Sequence, residues 1–283
     1  MNQLIVQRAK ALKEVRSFFD NRNYIEVDPP TLSPFSSIDC YIDPIETTTG
    51  HFLHTSPEYA MKRLLSLSSQ NIYFLGHVFR KEETGTLHNT EFTMIEWYKT
   101  HTDKSSFLKE TEELLFLFLG KLPVEKLSYD QAWNLYAKPS AQIEPSWNED
   151  EIRHYIWATT VEPNLGLDKL TLIYDFPKQD SLLSKTHIVN GKEVGIRFEY
   201  YYNKIELANG FFELTDPKEQ KKRLLEENQK RILLGKKELP LDHSFIKALK
   251  KGLPENTYGI AAGFDRLLML KTNSPSIQQV QVI

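Results

Sequence analysis

Asn71–Lys99, NIYFLGHVFRKEETGTLHNTEFTMIEWYK, reads as two strands rich in aromatic and β-branched residues, joined by a polar loop containing Gly85. The first strand ends at Phe79-Arg80, with Glu82 two residues on. On the second, Phe92, Met94, Glu96 and Tyr98 alternate, so their side chains share one face. A ring, a carboxylate and a phenol then stand in a row on a rigid element, with an arginine entering from the partner strand. Such a row suits the floor of a site for a nucleotide and a cationic small molecule. Alternating aromatics also line ordinary cores, so the hairpin alone leaves both readings open.

Working outward, 283 residues suit one large domain or two small ones, and 40% hydrophobic residues are ample for a core. With 35 basic against 38 acidic residues, the chain has no general electrostatic reason to bind nucleic acid. The single Cys40 excludes an intrachain disulfide framework and cysteine-rich zinc sites. No apolar run approaches the roughly 18 residues of a membrane span, and no signal-peptide core is present, so a soluble cytoplasmic protein is expected.

Upstream, Ile5, Ala9, Leu12, Val15 and Phe19 mark a helix over Leu4–Asp20, followed by a short strand Tyr24–Val27 and Pro29-Pro30. Phe52–His54 is a further strand. Thr55 and Glu58 have capping-box spacing around Pro57, with Met61, Leu64 and Leu65 as the buried stripe and Lys62 and Arg63 facing water. Glu58 is therefore a helix cap, a ligand, or both. Downstream, Phe107, Thr111, Leu114, Leu115 and Phe118 mark a helix ending at Gly120. Residues Leu127–Leu167 read as shorter helices separated by Pro139, Pro145 and Pro163, with no evident chemistry. Leu170–Phe176 reads as a strand, and Pro177–Val194 as a mobile loop.

Ile196–Asp216, IRFEYYYNKIELANGFFELTD, is a second hairpin turning at Asn203-Lys204. Counting back from the turn sets Tyr201 opposite Glu206 and Glu199 opposite Ala208. The two glutamates become diagonal neighbours roughly 7–8 Å apart. Two such carboxylates can hold one hydrated Mg²⁺; a solvated strand face is the alternative. Asn209, Phe211 and Glu213 have the opposite parity to Glu206. A bulge at Asn209-Gly210 is expected to restore one common face. Asp216-Pro217 opens a charged, solvated helix to about Leu234. Tyr258–Gly263 is a small-residue strand running into a helix over Leu267–Lys271. Arg266 in its first turn opposes the macrodipole, which an ordinary structural role does not explain.

Together these pieces resemble the catalytic domain of a class II aminoacyl-tRNA synthetase, specifically lysyl-tRNA synthetase. The first helix, strand and Pro30 resemble its first motif. Phe79-Arg80-Lys81-Glu82 with His88–Met94 resembles the second, and Gly259–Arg266 the third. Thr55–Tyr59, Val161–Asn164 and Ile205–Phe211 are similar to a free-standing branch, the elongation factor P–lysine ligases. The resemblance covers nearly the whole chain. It implies an α+β fold, an antiparallel sheet flanked by helices, in a single catalytic domain over 1–283 without an anticodon-binding domain. A homodimer built on the first motif is also implied.

The activity implied is ATP-dependent activation of lysine or β-lysine and its transfer to a lysine side chain of elongation factor P. Catalytic roles fall to Arg80, Glu82 and Arg266. Arg80 would grip the α-phosphate and the substrate carboxylate, while Phe92 and Arg266 would sandwich adenine. Glu82, His88, Asn89, Gly263 and Glu206 complete the ATP group, and Glu199 and Glu206 would hold Mg²⁺. Ser56, Glu58, Glu96, Tyr98, Asn209, Glu213 and Ala261 would surround the amino acid. Adenylation needs alignment and charge neutralisation rather than a general base, since the attacking carboxylate is already ionised. Two departures from the synthetase pattern matter. The acidic balance and the absent anticodon domain argue against tRNA as acceptor. Ala261 stands where synthetases usually carry glycine, and one methyl can cost about 1–3 kcal/mol by overpacking, enough to disfavour α-lysine. The segment Leu127–Thr160 is short for the ligases. A minimal enzyme charging tRNA or another acceptor and an inactive synthetase-like regulator are the alternatives; the intact ATP and metal groups argue against the second.

Overall fold

Apolar residues returning every three or four positions give the first helix one face to bury. It is α1, Gln3–Asp20, in a computed structural model that describes residues 3–139, 143–144 and 146–281. Its buried stripe is Ala11, Val15, Phe18 and Phe19, and Ile5 and Ala9 of the expected stripe are exposed. The aromatic end sets this rotation, because Phe19 stacks on Tyr73 with centroids 4.3 Å apart. There follow β1 (Ile25–Glu26), β2 (Leu32–Ser33), β3 (Phe52–Leu53), α2 (Glu58–Leu65), β4 (Ile72–Phe79), β5 (Glu91–Lys99) and α3 (Lys104–Leu119). Next are β6 (Val124–Ser128), α4 (Tyr129–Tyr136), α5 (Glu149–Ile156), β7 (Leu170–Pro177), β8 (Thr186–Val189), β9 (Lys192–Tyr202) and β10 (Ile205–Phe212). The chain closes with α6 (Pro217–Leu233), α7 (His243–Lys251), β11 (Tyr258–Gly263), α8 (Phe264–Thr272) and α9 (Ile277–Gln281).

These elements form two units, one of residues up to Gly120 and from Phe212 onward, the other Lys121–Phe211. In the first, strands run β1-β4-β5-β11, with β1 parallel to β4 and the other pairs antiparallel. The expected hairpin is present, in register from Ile72 opposite Tyr98 to Phe79 opposite Glu91. Met61, Leu65, Phe74, Val78, Met94 and Tyr98 pack as one core, with Phe92 and Ala261 half-buried against it. In the second unit, β10-β9-β7-β6 run in order, with β8 pairing β9; β7 and β6 are parallel and the rest antiparallel. Tyr129 stacks on Trp157 at 4.2 Å in its core. The strands of both units pair mostly antiparallel and are accompanied by helices, the α+β class the sequence implies. No helix among the described residues is long and apolar enough to cross a membrane.

Several local expectations are corrected. Pro57, not Thr55, caps α2 and no capping box forms; the Ser56 hydroxyl accepts from the Glu58 amide at 3.0 Å. Lys62 is fully buried and Leu64 is exposed, the reverse of the expected stripe. Residues 177–194 are not a loop throughout, because β8 and the start of β9 pair across Asn190-Gly191, both at positive φ. Leu127 belongs to a strand, β6, and Pro163 lies inside a short 3₁₀ turn rather than between helices. Pro139 does follow α4, while Pro145 lies outside the described residues. The charged helix α6 buries Arg231, whose guanidinium donates to the Asp39 and Ile42 carbonyls and pairs with Asp43 at 2.8 Å, so its face is not simply solvated. Helix α8 begins at Phe264, three residues before the expected start, and Asp265 in its first turn accepts from the Thr93 amide and pairs with Arg8 at 2.6 Å.

Candidate active site

The alternation on β5 places Glu96 and Tyr98 together, and Tyr98 donates to Glu96 at 2.7 Å. Ser56 donates to the other oxygen of Glu96 at 2.6 Å. One turn into α2, Lys62 reaches Glu58 at 2.6 Å and Glu213 at 2.5 Å. Glu213 lies beside Gly259, where an added Cβ would sit 2.4 Å from both its carboxylate and the Tyr98 ring. Glycine is required there by that close approach. Ser56, Glu58, Glu96, Tyr98 and Glu213, five of the seven residues implied for the amino acid, thus form one cluster. Ala261 stands opposite Glu96 in the strand register. Burial, then the charge of Glu58, pushes the Glu96 carboxyl up to about 8, against the donors Ser56 and Tyr98. Burial alone would lower the Lys62 pKa, but Glu213 and Glu58 outweigh it and hold Lys62 charged.

The residues implied for ATP in this unit fall into smaller groups. The Arg80 guanidinium lies 5.1 Å from the centroid of the Phe92 ring. Its Nε is buried without a hydrogen-bond partner among the described residues. Arg266 donates to the Leu87 carbonyl at 3.1 Å and meets His88 Nε2 at 2.6 Å, and its stem passes within 3.6 Å of where a Gly263 Cβ would stand. Glu82 is exposed at positive φ and paired with Lys81. Asn89 donates to Gln281 at 2.6 Å, and Gln278 donates to the Gly85 carbonyl at 2.7 Å, so α9 is tied to the loop between β4 and β5. Nothing in the spacing of α9 signalled that tie.

In the second unit, a tight turn with positive φ at Asn203 and Lys204 sets Glu206 opposite Tyr201, as expected. The bulge is present but earlier, between Glu206 and Ala208, and pairing then runs unbroken through Gly210. Glu199 consequently opposes Asn209 rather than Ala208. The early bulge reverses parity as the expected one would, so Arg197, Glu199, Tyr201, Glu206 and Asn209 share a face. Glu199 accepts from Arg197 and from Tyr201, and Arg197 also donates to Asn209 at 3.2 Å and to the Asp180 carbonyl. Asn209, implied for the amino acid, therefore sits with the residues implied for metal. Burial raises Glu199 to about 7; Arg197 opposes this and the charge of Glu206 adds to it. Asp180 pairs with Arg153 and with His154 at 2.9 Å, and these hold its carboxyl well below the usual range despite burial. The segment that promised no chemistry thus supplies the Arg153 cation and the His154 ring that hold Asp180. Glu199 and Glu206, two hard-oxygen groups on one face, are a donor set of the kind that takes a small divalent cation such as Mg²⁺.

A family model described as class II tRNA synthetases (D, K and N) matches residues 1–282. The chain is 37% identical to the elongation factor P–(R)-β-lysine ligase of Haemophilus ducreyi, over 98% of this chain and 92% of that protein. It is 38% identical to the protein of the same name from Histophilus somni, over 98% and 94%. The Proteus mirabilis ligase is 37% identical over 98% and 93%.

Proposed function

The chain belongs to the class II tRNA synthetase family of the D, K and N type, and on that basis we propose that it is an ATP-dependent lysine–protein ligase. It activates lysine or (R)-β-lysine as the aminoacyl-adenylate and transfers it to a lysine side chain of elongation factor P, the partner named in its relatives. The observation that carries this reading is the cluster of buried Glu96 and Glu213 and half-buried Glu58 at the buried Lys62. Glu58 and Glu213 share one lysine while Glu96 is held by the neutral donors Ser56 and Tyr98, so the cluster is short of positive charge, and a substrate with two ammonium groups supplies it.

The buried Nε of Arg80, unpartnered among the described residues, supports a seat for the substrate carboxylate and the α-phosphate, the anions it would align for in-line attack. Phe92 offers a ring for adenine, with Arg266 and His88 as its further contacts. Glu199 and Glu206 would hold Mg²⁺, which when bound neutralises charge on the phosphates. Amino acid and ATP give adenylate and pyrophosphate; the neutral amine of the acceptor then attacks the acyl carbon, forming the amide and releasing AMP. The exposed Ile5 and Ala9 on α1 are available to a second copy, in keeping with a homodimer. A translation factor as acceptor supports a cytoplasmic location, and the acidic balance speaks against tRNA as acceptor.

Incubating the protein with ATP, Mg²⁺ and either lysine isomer, then with elongation factor P or tRNA, tests this by intact mass. A mass increase of one lysyl unit on elongation factor P is expected. Acylated tRNA with unmodified elongation factor P overturns it.

A further inference from the structure

Lys62 has 0% of its side chain exposed, yet it carries its charge between two carboxylates. A group so enclosed does not serve solvent or solubility. Lysine is a compact point charge on a long stem, suited to bridging two acids rather than gripping one in a fork. Here it spans Glu58, one turn earlier on α2, and Glu213, which follows β10. The Phe245 ring of α7 closes a further side, 5.9 Å from Nζ. Nearby Asp242, which caps α7, is engaged with Arg63 at 2.6 Å and does not compete for Lys62. Glu96 and Tyr98 of β5 complete the charged and titratable surroundings.

We propose that Lys62 is a positioning residue for amino-acid recognition, an internal counter-ion that holds the Glu58 and Glu213 carboxylates fixed and ready for the substrate's ammonium group. It rests on the reading of this cluster as the lysine pocket. Without the internal cation, Glu58 and Glu213 would face one another with no counter-ion between them. Each substrate ammonium would then meet carboxyls that must first rotate or lose a proton. Lys62 also sets the charge of the cluster. Its one positive charge is shared by Glu58 and Glu213, and Glu96 beside them has no cation of its own among the described residues. That leaves room for a substrate that is itself multiply cationic, and little reason to accept a neutral side chain of similar length.

The test is ATP–pyrophosphate exchange by the full chain carrying Lys62→Met, Lys62→Gln or Lys62→Arg, with the melting temperature followed in parallel. In the two neutral variants the KM for the amino acid should rise about 30-fold or more, while the KM for ATP stays within twofold. Lys62→Arg, which keeps the charge, should recover part of the loss. An amino-acid KM within threefold of the parent, or equal rises in both KM values, overturns the proposal. Where the neutral variants fail to fold, NMR of the Lys62 ammonium in the unliganded parent decides. It should remain protonated after exposed lysines have titrated, and titration alongside them overturns the proposal. A parent that exchanges with neither lysine isomer overturns the functional reading and this one together. An active parent with unaffected variants overturns this one alone.

Discussion

The cluster around Lys62 and the cluster around Arg197 both bury glutamates, but they compensate them with different cations. Lys62 joins two carboxylates side chain to side chain. Arg197 uses its planar fork to tie one carboxylate, Glu199, to the Asp180 backbone carbonyl and the Asn209 amide. The first arrangement leaves Glu96 held by neutral donors, Ser56 and Tyr98. The second leaves Glu206 beside a glutamate that already has its counter-ion. A point charge therefore shapes a pocket for an organic cation, and a fork stiffens a hairpin face suited to a metal ion.

The sharpest way to break that contrast is Glu213→Gln. Truncating one partner of a buried charge contact made on binding costs roughly 2–5 kcal/mol, and about 3–4 kcal/mol is 10²–10³-fold. The kcat/KM for the amino acid should therefore fall about 10²–10³-fold in pyrophosphate exchange, with the KM for ATP little changed. A loss below tenfold would show that Glu213 serves stability alone.

Next comes pH. Glu96 and Glu199 are raised to about 8 and about 7 from an ordinary 4.5, so the folded state holds their protons more tightly than the unfolded chain. Their stability contribution is complete below about pH 4.5 and is lost as pH rises to 7 and then 8. The unliganded protein should lose a few kcal/mol over that window. Glu96→Gln should flatten the part between pH 7 and 8, leaving the part assigned to Glu199. Thermal melts from pH 5 to 9 check both, and a flat parent profile would refute the burial argument.

Tyr201→Phe probes the other cluster, since it removes a donor to Glu199 while leaving both carboxylates. Loss of such an outer contact typically costs about 10–100-fold in metal affinity. The Mg²⁺ concentration for half-maximal exchange should rise accordingly, with the amino-acid KM unchanged at saturating metal. The smallest effect belongs to Ala261→Gly. Relief of one methyl opposite Glu96 should shift preference toward α-lysine by about 1 kcal/mol, roughly fivefold. An unchanged ratio of the two isomers in exchange removes Ala261 from specificity.

Much of this was legible in the residues. The strand alternation put Glu96 and Tyr98 side by side, and the two-residue turn fixed Glu206 opposite Tyr201. Other features were not legible because they depend on distant partners. Lys62 has the spacing of a solvent-facing helix residue, and only Glu213, 151 positions later, makes burial of its charge tolerable. Glycine at 210 was a reasonable marker for a bulge, yet the extra residue falls at Glu206–Ala208, where the ladder to β9 shifts. Arg153 and His154 gave no signal of their own, since Asp180 lies in another element.

By itself the sequence determined the class of fold, the two hairpins, their faces and the chemical kind of each candidate group, because period and turn chemistry are local properties. The tertiary structure decided which acids share a cation, where the bulge falls and how strongly burial resists ionisation. Those depend on the dielectric and charge contributed by residues far away in the chain.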